Sequence, residues 1–82
     1  MTADELRTIV RDCVTEWFGR MQDTGEIPRD RLEAVAKAQQ ETEARMFQAL
    51  RKNEPVYRRL LASNHEQAKR AVNSFIDAII AY

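Results

Sequence analysis

Residues able to carry acid–base, nucleophilic or metal chemistry are few in this chain. His65 is its one histidine and Cys13 its one cysteine. The run His65-Glu66-Gln67-Ala68-Lys69 follows the outline of a zinc-protease helix, in which two histidines one turn apart hold the metal and a glutamate activates water. Lys69 stands where the second histidine must be, so the run makes no zinc site. One histidine and one cysteine also fall short of a structural zinc set. Adjacent helix positions do not face each other. Asn64 and Glu66 therefore form no constellation with His65, which reads as a surface or half-buried residue.

Cys13 falls among Ile9, Val10 and Trp17 on an apolar face. A reactive thiol needs an electropositive, accessible setting, so Cys13 reads as a small packing residue. Gly19 and Gly25 are the only glycines, too few for a phosphate-cradling loop. The expectation is a non-enzymatic protein with no cofactor and no metal.

Two groups of residues suggest binding instead. Arg58, Arg59, Lys69 and Arg70 gather in the second half, with Arg51 and Lys52 nearby. On an unbroken helix Arg58 lines up with Lys69 and Arg59 with Arg70, a ridge able to follow a phosphate backbone. Glu66 and Asp77 share that ridge, and Glu66–Arg70 is a favourable pair one turn apart. A solvated mixed-charge face is the stronger reading. The second group is Gln39 and Glu43, one turn apart in the middle of an apolar stripe formed by Leu32, Val35, Ala36, Met46, Phe47 and Leu50. They mark an uncovered waist, a registry device, or a notch for another protein. A buried Glu43 without a partner is costly, and no other segment offers it an obvious mate. Ile80 and Tyr82 are further candidates for partner contact.

Three elements must position these residues. The first helix is expected over 3–22. Thr2 and Glu5 form a capping box, and Leu6, Ile9, Val10, Cys13, Val14, Trp17, Phe18 and Met21 follow at helical spacing. Trp17 reads as the central core aromatic, with Phe18 pointing elsewhere. Gly19 weakens this helix or admits a close neighbour, and Gly25 ends it in the left-handed conformation. The second helix is expected over 28–52, opened by Pro28 with Asp30 at its positive end. Glu33–Lys37 and Glu41–Arg45 are spaced as ion pairs along it. Asn53 and Pro55 restart the chain, and a third helix is expected over 54–81. Ser63 and Glu66 allow a second capping box and a break near 63. The apolar face from Tyr57 to Tyr82 stays in phase across Ser63, which favours a continuous or merely kinked helix.

The fold class is therefore all-α: a small three-helix bundle, or four-helix if the last element breaks, with long central and C-terminal helices in one domain. The 82 residues carry 13 basic and 13 acidic side chains. Residues 1–43 hold ten acids and six bases, whereas 44–82 hold three acids and seven bases. The halves are thus −4 and +4, a split that can pair two copies head to tail. No run approaches the roughly 20 apolar residues of a membrane span, and the first residues lack a signal peptide's pattern. The expected setting is cytoplasmic, with no membrane partner. A small, neutral, motif-free helical chain fits an adaptor or an inhibitor of a larger protein machine, of the kind phage and plasmids use as regulators. Its marginal core favours a homodimer. The alternative is a nucleic-acid-binding regulator using the basic ridge.

Overall fold

The computed structural model describes residues 1–25 and 32–80, with Leu32, Ile79 and Ile80 described by backbone alone. These residues form an all-α bundle of four helices: α1 Ala3–Asp23, α2 Leu32–Lys52, α3 Glu54–Ala62 and α4 His65–Ile80. The expected start of the second helix at Pro28, with Asp30, lies outside the described residues, as does Tyr82.

Helix α1 begins where its cap predicts. The Thr2 hydroxyl accepts from the Glu5 N–H at 3.2 Å. The Glu5 carboxylate turns to the Thr2 hydroxyl, 3.3 Å away, and not to the Thr2 backbone. Asp4 and Glu5 occupy the positive end of the helix dipole and Arg20 the negative end. The last turn closes through Thr24 N–H to the Arg20 carbonyl and Gly25 N–H to the Gln22 carbonyl. Gly25 takes φ +79°, a conformation open to glycine at little cost.

Asn53 separates α2 from α3 without acting as a side-chain cap. Its N–H still reaches the Ala49 and Leu50 carbonyls, both at 3.2 Å. Pro55 lies in the first turn of α3, where a missing N–H costs nothing.

The expected continuity of the last helix is corrected. Ser63 is extended (ψ 161°) and ends α3. Its hydroxyl donates back to the Arg59 carbonyl at 2.7 Å. The capping box belongs to the next residue along: Asn64 Oδ1 accepts from the Gln67 N–H at 2.9 Å, and Gln67 Oε1 accepts from the Asn64 N–H at 3.3 Å. The donation to Arg59 turns the Ser63 hydroxyl back toward α3, and the Asn64 side chain is the one placed to accept from the first turn of α4.

The core is built around α1, not around the second helix. Leu6, Ile9, Val10, Cys13, Val14 and Phe18 of α1 meet Met46, Phe47 and Leu50 of α2, Leu60 of α3, and Ala68, Val72 and Ile76 of α4. The first half of α2 contributes less than its stripe suggests. Val35 is half-buried and Ala36 exposed. All three other helices pack closely on α1, whereas the backbones of α2 and α4 stay more than 8 Å apart between Cα atoms. Gly19 has no close neighbour: a Cβ there meets nothing within 4 Å.

Candidate protein-binding groove

Because the backbones of α2 and α4 stand apart on either side of α1, part of α1 between them stays open. Trp17 stands on that part. The expected roles of the two aromatics are reversed: Phe18 is in the core at 7 % exposure, and Trp17 is half-buried at the rim. Successive helix residues are about 100° apart, so only one of the pair can face the core. Their rings meet edge to face, 5.4 Å between centroids and 84° between planes, which fixes the indole against the core without enclosing it.

The result is an open groove of about 320 Å³, lined by Trp17 of α1, Thr42, Arg45, Met46 and Ala49 of α2, and Phe75 of α4. Met46 is buried at its base, Phe75 half-buried, and Arg45 and Ala49 exposed on its α2 wall. A second recess, formed by Ala44, Arg45, Gln48, Ala49 and Lys52, continues from that wall over the outer face of α2. The sequence draws attention to Trp17, to Met46 as a core residue and to Arg45 as half of an ion pair, but not to these residues as one surface. The available signal was the spacing of Ala38, Thr42, Arg45, Ala49 and Lys52, alternately four and three apart, beside the more apolar stripe that faces the core.

Gln39 and Glu43 lie on another flank of α2. Gln39 has a polar mate: its Nε2 donates to Thr15 Oγ1 of α1 at 2.7 Å. Glu43 is half-buried and shares a shallow recess with Arg7, Arg11, Gln40 and Ala44. Arg7 is turned instead over the Phe47 ring, 4.9 Å from its centroid, a cation–π placement. Phe47 also meets Tyr57 edge to face at 6.3 Å, which ties α3 to α2. Gln39 and Glu43 thus face α1, away from the Trp17 groove.

The structure does not assemble the basic ridge. The break at Ser63–Asn64 removes the alignment of Arg58 with Lys69 and of Arg59 with Arg70. Arg58 pairs with Glu54 at 2.8 Å, Arg70 with Glu66 at 2.9 Å, and Lys69 with Glu16 of α1 at 3.0 Å. Arg59 is exposed. The expected pairs Glu33–Lys37 and Glu41–Arg45 do not close, although pairs of the same spacing in α3 and α4 do. The side chains of Ile80 and Tyr82 lie outside what the structure describes.

Cys13 is fully buried, with its thiol directed at the Lys69 carbonyl, 3.9 Å away. Burial, and secondarily the charge of Glu16, push its pKa up to about 11 against the opposing effect of Lys69. A thiol held protonated in this way is a poor nucleophile. Among the described residues, no three of histidine, cysteine, aspartate and glutamate come together to hold a metal ion. No helix among them is long and apolar enough to cross a membrane. Comparison with protein-family models, with curated proteins and with solved structures gives no match.

Proposed function

We propose that this chain is a non-enzymatic protein-binding module, an adaptor or an inhibitor that docks on a larger protein, and that it binds through the groove between α2 and α4. The observation that carries this reading is Trp17, an indole held half-exposed at the floor of a groove whose walls are Phe75, Thr42 and Ala49. Tryptophan in a partly enclosed apolar setting is the commonest kind of interface hot spot. A cleft between two helices whose backbones stand apart is a shape that receives a third, amphipathic one. A cytoplasmic regulator of the phage or plasmid kind fits the small size and the lone thiol.

The nucleic-acid reading has less support. Three of its four cations are engaged with carboxylates, and a phosphate contact there must first displace them.

The test is comparative. Proteins retained from the native host by the wild-type chain are purified and their affinities measured against Trp17→Ala and Phe75→Ala. Loss of a hot spot worth ~2 kcal/mol weakens binding roughly 30-fold. Equal affinity for wild type and both variants, with helicity retained, overturns the groove as the site. A gel shift of generic duplex at low salt, abolished by charge reversal at Arg58 and Arg59, supports the nucleic-acid reading in its place.

A further inference from the structure

The α2 wall of the groove has a property that points to a particular occupant. Along α2, residues Leu32–Glu43 carry Glu33, Glu41 and Glu43 against Lys37 alone, whereas Ala44–Lys52 carry Arg45, Arg51 and Lys52 and no acid. The helix is therefore negative in its first half and positive in its second. The groove residues Thr42, Arg45 and Ala49 are continued along α2 by Ala38 before them and Lys52 after them, and the five recur at the four–three spacing by which helices wind together. Ala38, Arg45, Ala49 and Lys52 are all exposed.

Resting on the groove as the binding surface, we propose that in the absence of a larger partner it is covered by a second copy of this chain, with the two α2 helices antiparallel about a two-fold axis between residues 43 and 44. That register sets Ala38 of each copy against Ala49 of the other, and two small side chains let the helices approach closely. It brings each Arg45 beside the Glu41 of the other copy, twice over by symmetry. It also lays the negative half of each α2 along the positive half of its mate and opposes the two helix dipoles. A contact of this kind is self-complementary, as a two-fold interface must be.

The unmade pair within one copy supports it. Glu54–Arg58 and Glu66–Arg70 close at the same spacing, whereas Glu41 and Arg45 do not, which leaves both available to the second copy. The partner's α2 also covers Trp17 and Phe75, the two aromatics left half-exposed on the monomer.

Sedimentation equilibrium at micromolar concentrations measures the mass of the wild type, of Arg45→Glu, and of the double exchange Glu41→Arg with Arg45→Glu. Both substitution sites, Glu41 and Arg45, are on the surface, and circular dichroism verifies that each variant is folded. The wild type is expected at twice the chain mass. Arg45→Glu sets like charges together and weakens the dimer at least tenfold. The double exchange restores the complementary pair and the dimer with it. A wild type of single-chain mass, an Arg45→Glu dimer as tight as wild type, or a double exchange that stays monomeric overturns the proposal. A monomeric wild type that still binds another protein through Trp17 removes the second copy and leaves the binding-module reading standing. A dimer with this charge behaviour, but with no other partner sensitive to Trp17, does the reverse.

Discussion

Gln39 Nε2 and Thr15 Oγ1 lie 2.7 Å apart and join the polar middle of α2 to α1. The Thr15 hydroxyl donates in turn to the Arg11 carbonyl at 2.8 Å, so it accepts from Gln39 with its proton already committed. A hydrogen bond between neutral groups within reach of water contributes about 0.5–1 kcal/mol. Gln39→Ala and Thr15→Ala should each lower the free energy of unfolding by that amount. Their double-mutant cycle in urea should give a coupling of about 0.5 kcal/mol. Additive losses would mean that water replaces the contact without penalty.

The two glycines should respond in opposite directions. Gly19 is helical, and a Cβ there meets nothing. Gly19→Ala should therefore raise stability by about 0.5–1 kcal/mol, which for a domain of this size lifts Tm by about 2–8 °C. Gly25 sits at φ +79°, where any side chain is strained, and Gly25→Ala should cost about 1 kcal/mol. Thermal melts followed by circular dichroism check both, and a destabilised Gly19→Ala would reveal a neighbour that packs on this face.

At the junction of α3 and α4, the capping role of Asn64 can be separated from that of Ser63. Asn64→Ala removes an acceptor from the first turn of α4 and should cost about 1 kcal/mol. Ser63→Ala removes a hydroxyl that only bonds back to Arg59 and should change stability by less than about 0.5 kcal/mol. The reverse order of the two would return the cap to Ser63.

Cys13 should make the fold sensitive to alkali. Its thiol rises from the ordinary 9.0 to about 11 on folding, chiefly through burial. Above pH 9 the unfolded chain gives up this proton while the folded chain keeps it, so unfolding becomes more favourable as pH rises. The stability present below pH 9 is thus lost between 9 and 11, by on the order of 2 kcal/mol. Lys69, raised by its hydrogen bond and charge interaction with Glu16, adds a loss at the upper end of the same range. Urea midpoints at pH 8 and pH 10.5 for wild type and Cys13→Ala isolate the thiol, because the variant keeps Lys69. Equal falls in the two proteins would remove Cys13 as the cause.

What the sequence makes legible here is what depends on neighbours close along the chain. The limits of α1 follow from Thr2, Glu5 and Gly25, and its buried face from a period that only a helix satisfies. The break before α4 is hidden because Leu60, Leu61 and Ala68 keep a helical phase across it, and because Ser63–Glu66 and Asn64–Gln67 offer the same cap one residue apart. Which of the two forms depends on where the chain leaves the helical path, and Ser63 is already extended, so the cap falls to Asn64. The exchange of Trp17 and Phe18 has a similar origin. Both are large and adjacent, and their fates depend on which side of α1 a neighbour occupies. The groove was the least legible feature, since it arises from two helices whose backbones stand apart, and no single residue type encodes a gap.

The central place of α1 also shapes how the chain acquires its structure. Cys13 is covered by the backbone of Lys69, 56 residues later, and the rest of the α1 face waits likewise for Val72 and Ile76. During synthesis the first helix made therefore stays sticky until the fourth emerges. A nascent chain of this design depends on fast closure or on temporary shelter, and a pause in translation between α3 and α4 prolongs the interval in which it is open to aggregation.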